Sequence, residues 1–497
     1  MSKKQIFFRR TSRRQPASGR KPTKRLSERD LAMSAEELQV FQEQFERLLA
    51  RQEQRNWFRL YQCGQLSKLE RKTTEAMVLE LLGADESVIR TAQHFIGQAA
   101  WDGKPLLGQA QRLVGEWLGE PDGVVIVDGS GFPKQGSHSV GVIRQYCGHV
   151  GKVTNCQEGV FVLYASRRGY AFLDQRLYLP GVWFTPAYRE RRRICGIPDT
   201  QTFQTEPELG LEMLTQVAQG GLIPFRWVTC DARYGEIPAF LDGIAALDKW
   251  FFAEVAADTQ VWLRTPPVEP PGQGPLGAPR TKPRVSLSAP HPYEMRELLT
   301  LIPRTQWRRK TIKEGSKGPL VAEFAFLRVT PIRDQLPGRR CWVILRRTLE
   351  DHPQVKFFLS NAPTTCPLQE FVRVSGLRWP IETGLKESKG AIGMDHYETR
   401  TWLGWQHHMT LSILAHLFLV RLQLLLQKKS RLDYCSSPSA DRTGDRRQAH
   451  TTPRYAGNYR ISSTPKSCRL LFTPQTHTFS TCSASQTQKN VGAIYFS

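Results

Sequence analysis

From residue 34 to residue 118 the apolar positions recur at helical spacing. Ser34-Ala35-Glu36-Glu37 resembles a capping box, and Leu38, Phe41, Phe45, Leu48 and Leu49 follow on one helical face. Further helices are predicted over 71–82, 87–98 and 107–118. At Gly123 the period shortens. Val124-Val125-Ile126-Val127 is an unbroken apolar run ended by Asp128-Gly129, the pattern of a strand covered on both faces. Residues 160–165 and 171–179 read as two more strands around a Ser166-Arg167-Arg168-Gly169-Tyr170 turn. A helix over 209–219, a strand over 225–230 ending in Asp231, a helix over 237–247 and a strand over 250–255 complete this stretch.

Residues 266–292 are rich in Pro and Gly and predict no regular packing. Strand-like runs at 320–329, 341–346 and 355–359 make 260–360 an insertion with β structure. A helix is predicted to open near Pro367, and Trp379-Pro380 starts a fresh one, since Pro fixes φ and lacks a donor. At helical spacing Glu382, Leu385, Lys386 and Lys389 share a face. The apolar stretch 408–426, interrupted by His416, Arg421 and Gln423, reads as a buried or amphipathic helix rather than a membrane span. Three hairpin-linked strands followed by helix, strand, helix, strand is the order of the ribonuclease H-like fold: an α/β fold, a mixed sheet with helices on both faces. The expected divisions are a basic arm (1–33), a helical DNA-binding domain (34–118), the first part of the catalytic domain (119–259), the insertion (260–360), the Glu382 helix with a C-terminal helix (361–428), and a tail (429–497).

Charge changes the picture next. Lys and Arg number 69 against 46 Asp and Glu, a formal net charge of +23, which suits a polyanionic partner because neutralised phosphates release counterions. The arm concentrates Lys and Arg and could grip phosphates. The tail is rich in Ser and Thr, contains no Asp or Glu after Asp445, and holds no period, which predicts disorder or a frameshifted end. Ten scattered cysteines without a CxxC pair exclude zinc-ribbon spacing and predict free thiols in a reducing cytoplasm. The basic N-terminus is followed by no apolar core, so no secretory signal is expected.

The candidate chemistry lies in three carboxylates. Asp128 ends the first strand, Asp231 ends the fourth, and Glu382 comes from a helix over the sheet. In a sheet of that order the first and fourth strands are neighbours, so the two aspartates can share a metal. Breaking and joining phosphodiesters needs an activated oxygen nucleophile and a stabilised leaving oxygen, which two divalent ions about 3.5–4 Å apart supply. Mg²⁺ takes oxygen ligands and keeps waters, so three carboxylates suffice. Each residue also has a structural reading: Asp-Gly as a turn, Asp231 as a helix cap, Glu382 as a first-turn carboxylate facing the helix dipole.

The surrounding segments resemble a known family. Val127-Asp128-Gly129-Ser130-Gly131-Phe132-Pro133-Lys134-Gln135-Gly136, with Arg144-Gln145-Tyr146-Cys147-Gly148, is similar to the first catalytic block of bacterial insertion-sequence transposases of the DDE superfamily, group 701. Asp231-Ala232-Arg233-Tyr234-Gly235 resembles the second block, and Arg378-Trp379-Pro380-Ile381-Glu382 with Lys389, Asp395-His396-Tyr397-Glu398, Gly404-Trp405 and His408 the third. The resemblance covers about 40–425. It implies metal-dependent DNA strand cleavage and strand transfer at Asp128, Asp231 and Glu382, with two Mg²⁺ or Mn²⁺ ions. It also implies a homodimer on DNA, transposon ends and target as substrates, and a cytoplasmic, nucleoid-associated protein without membrane contact. Arg378 and Lys389 would hold terminal phosphates, the Arg as a bidentate fork and the Lys as a point charge. Lys386 and Lys134 would add DNA contacts, and Trp262 would stack a flipped base. Where the superfamily's Tyr-Arg-Glu-Lys signature has Tyr, this chain has Ser375. Two other classes fit the same fold: a transposase-derived DNA-binding protein that no longer cuts, and a ribonuclease H-like nuclease that cleaves without joining.

Overall fold

The computed structural model describes residues 28–83, 85–148, 150–272, 280–315 and 318–435. The basic arm as far as residue 27 and the tail from residue 436 lie outside the described residues. Five helices come first: α1 (Glu28–Glu46), α2 (Gln52–Leu66), α3 (Thr74–Leu82), α4 (Glu86–Gly97) and α5 (Lys104–Leu118). Thr73 accepts from the Ala76 amide, and Asp85 from those of Ser87 and Val88, so α3 and α4 begin where a side-chain oxygen satisfies first-turn donors. The sequence pattern did not announce α2.

The sheet begins with β1 (Val124–Pro133), β2 (Ile143–Cys147), β3 (Lys152–Ser166) and β4 (Gly169–Tyr178). After α6 (Arg189–Ile194) and α7 (Glu206–Gly220) come β5 (Trp227–Cys230), α8 (Ala232–Gly235), α9 (Pro238–Ala246) and β6 (Trp250–Val255). β3 lies antiparallel to β1 and β4, whereas β5 runs parallel to both β1 and β6. The order β4-β3-β1-β5-β6 is a mixed sheet consistent with the expected ribonuclease H-like arrangement. β2 is an addition that pairs with β3.

The segment that follows does not form a β unit apart. It contains β7 (Gln260–Trp262), β8 (Val268–Glu269), β9 (Arg284–Val285), β10 (Tyr293–Glu294), α10 (Leu298–Leu301), β11 (Arg308–Gly315), β12 (Gly318–Arg333), β13 (Leu336–Pro337), β14 (Cys341–Arg347) and β15 (Val355–Ser360). β15 pairs antiparallel with β6 and β14 with β15, so these strands extend the same sheet to thirteen. Three further helices close the described chain: α11 (Leu368–Ser375), α12 (Trp379–Glu387) and α13 (Trp402–Cys435).

Strand alternation explains why the sheet is buried on both faces. Val125 and Val127 enter one apolar cluster with Leu113 of α5, Met213 of α7 and Phe240 of α9. Val124 and Ile126 enter the other, with Phe371 of α11 and with Ile381 and Leu385 of α12. Residues of α1 to α5 share the first cluster with the sheet, so the N-terminal helices and the strands have one continuous core. Asp128, with the parity of Val124 and Ile126, therefore belongs to the face that α12 covers.

α13 is long and apolar enough to cross a membrane, but 67% of that stretch is buried inside the molecule. Polar contacts tie it to α2. Gln62 donates to the Leu411 carbonyl at 2.8 Å, and Gln65 to the Ser412 hydroxyl at 2.8 Å. His408 places Nε2 against the Met394 carbonyl at 3.1 Å, which can only accept, so Nδ1 accepts from the Tyr61 hydroxyl at 2.7 Å. His416 is less well supplied. It lies between the Phe172 and Tyr170 rings, and its buried Nδ1 has no hydrogen-bond partner among the described residues. Glu387 Oε2, already accepting from Tyr170, is 3.9 Å from its Nε2.

Burial pushes the His416 imidazole down to about 4. Between pH 4 and 6.5 the unfolded chain binds a proton there that the folded chain does not, so stability is lost as pH falls through that window. His416→Leu is expected to gain about 2 kcal/mol more at pH 5 than at pH 8. Denaturant unfolding at the two pH values measures it, and an equal effect at both would show that His416 is charged in the fold.

Candidate active site

The two aspartates are brought together by strand register. Val127 of β1 pairs with Cys230 of β5 in parallel, so the next residues, Asp128 and Asp231, leave adjacent strands side by side. Gly235 lets the end of α8 pack closely on β6, because a Cβ there would meet the Glu254 carbonyl oxygen. Glu382 reaches the same place from the first turn of α12, which Ile381, Gly384 and Leu385 seat on the sheet. All three carboxylates line one cavity of about 850 Å³, with Gly129, Ser130, Gly131, Glu158, Arg233, Lys386, Lys389, Asp395 and His396 among its walls.

Arg378 organises the charge. Its Nη2 donates to Glu382 Oε1 at 2.7 Å, Nη1 lies 3.7 Å from Asp128 Oδ2, and Nε lies 3.6 Å from Glu254 Oε2. Burial opposes the guanidinium charge, but Asp128, Glu382, Glu254 and Asp231 outweigh it and hold Arg378 above its ordinary range. Burial, and then the neighbouring Asp231, push the Asp128 carboxyl up to about 7. Asp231 is raised chiefly by burial, with Arg378 and Arg233 opposing. Its Oδ1 is buried without a hydrogen-bond partner among the described residues.

A partnerless carboxylate oxygen beside a second crowded carboxylate is a donor set that a hard cation would satisfy. No three Asp, Glu, His or Cys side chains among the described residues stand close enough together to hold an ion as they are. Glu382 is drawn instead to Arg378, the cation that currently balances the acids. Asp128 and Asp231 have the chemistry to take a divalent ion, while Glu382 is held by Arg378.

The residues expected to contact DNA separate. Lys386 is exposed on the cavity rim. Lys389 lines the cavity but is only 7% exposed, and its ammonium donates to the Gly131 carbonyl at 2.8 Å. Lys134 lies outside, in a neighbouring cleft of about 800 Å³. There it donates to the Tyr397 carbonyl and sits 3.4 Å above the Tyr397 ring, and burial lowers it to about 8. Trp262 is not at the cavity. It is 5% exposed, pairs across to Thr330 of β12, and its ring N–H donates to the Pro290 carbonyl at 3.2 Å, which leaves no face for a base. Ser375 is buried, and its hydroxyl donates to the Val372 carbonyl of its own helix.

The cavity also holds residues the sequence pattern did not single out. Glu158, paired with Gly131 across β1 and β3, is pushed up to about 7 by burial and by Glu206, against Arg233. Arg233 is bound by Glu206 at 2.7 Å and lies 3.8 Å from Glu158. Glu254, which is not one of the cavity's walls, takes Lys356 at 2.7 Å and lies 3.6 Å from Arg378. For Glu254 the signal was a charged residue in an otherwise apolar strand, Phe251-Phe252-Ala253-Glu254-Val255, and for Arg233 its place in the segment after Asp231.

The chain is 23% identical over 341 residues to the probable transposase for insertion sequence element IS701 of Microchaete diplosiphon, covering 68% of this chain and 76% of that protein. Residues 44–319 match the family model of the DDE superfamily endonucleases. That span includes Asp128 and Asp231 and stops short of Glu382. Because the match takes in more than half of the chain, this protein belongs to the DDE superfamily of endonucleases.

Proposed function

We propose that the chain is a DNA transposase that cleaves and joins strands at Asp128, Asp231 and Glu382. The observation that carries this reading is the convergence of the three carboxylates, from two adjacent strands and a covering helix, on one cavity in a DDE endonuclease. The relative's own activity, transposition of an insertion sequence, gives the reaction class. Asp128 and Asp231 would hold divalent ions, Mg²⁺ or Mn²⁺, with Glu382 completing the set. Such ions, when bound, activate the attacking oxygen and stabilise the leaving one.

The chain's other residues supply position and charge. Arg378 neutralises the acids while the site is free of ions, and its planar fork can exchange a carboxylate for a phosphate of similar geometry. Lys386, exposed on the rim, offers a point charge to the same backbone. The helices of 34–118 give a surface for transposon ends, and a homodimer on DNA would bring two ends together, at the nucleoid in the cytoplasm. Loss of cutting in a derived DNA-binding protein would leave the carboxylates without a role, and here all three face the cavity.

The test is direct. The protein is incubated with duplexes carrying its own element's ends, a target plasmid and Mg²⁺, and the cut strands and joined products are mapped. Cleavage at the ends with joining to target is expected. Cleavage without joined products would assign a nuclease, and DNA binding without cleavage would overturn the reading.

A further inference from the structure

Lys389 stands where the helix carrying Glu382 meets the strand carrying Asp128. After α12 the backbone leaves α geometry: Ser388–Ile392 form a turn of π-helix, closed by Gly393 in the left-handed region at φ 76°. A side chain at Gly393 would also collide with the His396 ring and with Lys72, so the exit of the turn is fixed. π turns are rare and occur mostly at functional sites.

In continuous α-helix Lys389 would lie about 700° from Glu382, nearly two full turns, and would share its face. Lys389, second in the π turn, keeps that side and lines the same cavity as Glu382. Lys389 is buried, with its ammonium donating to the Gly131 carbonyl at 2.8 Å and lying 4.5 Å from the centre of the Phe132 ring. Gly131 and Phe132 belong to β1, the strand of Asp128. α12 is thus attached to the catalytic strand at both ends, by Arg378 at its start and by Lys389 just past its end. At 7% exposure, with one of its donors already on the Gly131 carbonyl, the ammonium offers little to a phosphate, whereas Lys386 stands exposed on the rim.

We propose that Lys389 is a positioning residue that fixes the helix of Glu382 against β1, and so sets where Glu382 stands relative to Asp128, rather than a ligand for DNA phosphate. The proposal rests on the assignment of Asp128, Asp231 and Glu382 as metal ligands.

The test uses the full chain and two readouts other than turnover: Mn²⁺ affinity, from the paramagnetic resonance of free Mn²⁺, and the salt dependence of binding to a DNA duplex. Lys389→Met keeps the stem and removes the ammonium. Its Mn²⁺ affinity is expected to fall about 10–100-fold, as when a residue behind a metal ligand is lost, with the salt slope unchanged. Lys386→Met should show the reverse, unchanged Mn²⁺ affinity and a salt slope reduced by about 1.

A Lys389→Met protein that loses about 1 from the slope and keeps its Mn²⁺ affinity would make Lys389 a phosphate ligand and overturn the proposal. Unchanged values in both readouts would overturn it too. If Lys389→Met does not fold, Phe132→Leu, which removes the ring beside the ammonium, should weaken Mn²⁺ in the same direction, and an unchanged affinity there counts against the proposal. Glu382→Gln separates the two readings. If it binds Mn²⁺ as the parent protein does, the carboxylate assignment fails; if it loses Mn²⁺ while Lys389→Met does not, only the role of Lys389 fails.

Discussion

Replacing any one of Asp128, Asp231 and Glu382 by its amide is expected to lower strand cleavage by at least about a thousandfold, since several kcal/mol of charge stabilisation at the reacting phosphate are lost. The amides keep side-chain volume and remove the anionic oxygen that an ion requires. The aspartate pair makes a second, opposite effect measurable. Asp128 is raised by burial and by Asp231, so in the absence of ions the two charges destabilise each other. Asp128→Asn should therefore melt no lower than the parent protein in EDTA at pH 8, yet lose the stabilisation that Mg²⁺ or Mn²⁺ gives the parent. Mapped cleavage of end duplexes and thermal melts with and without the ion measure both. Cleavage near the parent rate by any of the three would remove that residue from the site.

Arg378→Gln is expected to destabilise the ion-free protein by about 3 kcal/mol, the low end for removing one partner of a buried charge network, because its side chain is 23% exposed. Without it Glu382, Asp128 and Glu254 face one another with less positive charge between them; Lys356 still pairs with Glu254. A divalent ion can supply the missing charge. The ion-induced rise in melting temperature should therefore be larger in Arg378→Gln than in the parent, even though end cleavage falls through loss of the bidentate donor. Equal ion-induced shifts in the two proteins would show that Arg378 does not act as the internal counter-cation.

The parts of the fold legible in the chain are those whose burial is decided by near neighbours. Val124–Val127 reads as a strand covered on both faces because four consecutive apolar residues leave no polar side, and 250–255 reads as a strand from its apolar run before Glu254. α2 escaped because Gln54, Gln62 and Gln65 interrupt its apolar face; they are buried only because α4 and α13 return to satisfy or cover them. β2 escaped because its alternating exposure leaves little apolar signal in Ile143-Arg144-Gln145-Tyr146-Cys147.

The candidate site divides along the same line. Residue type and position relative to strand ends singled out Asp128, Asp231 and Glu382, and strand order was enough to expect the aspartates as neighbours. The fate of the aromatic and basic residues depended on distant chain. Trp262 is buried because β12, some seventy residues on, pairs beside it and residue 290 supplies its acceptor. Lys389 is buried because its ammonium meets a carbonyl on β1, 258 residues away along the chain. Arg378 could be read as a phosphate ligand, but its present partners come from three separate elements that only folding assembles. The sequence by itself marked Asp128, Asp231 and Glu382 as candidates and showed on which elements they stand, because periodicity and strand ends are local properties. Tertiary structure alone decided which cations stay exposed and which are spent inside, because that depends on the carbonyls and carboxylates that distant segments bring within reach.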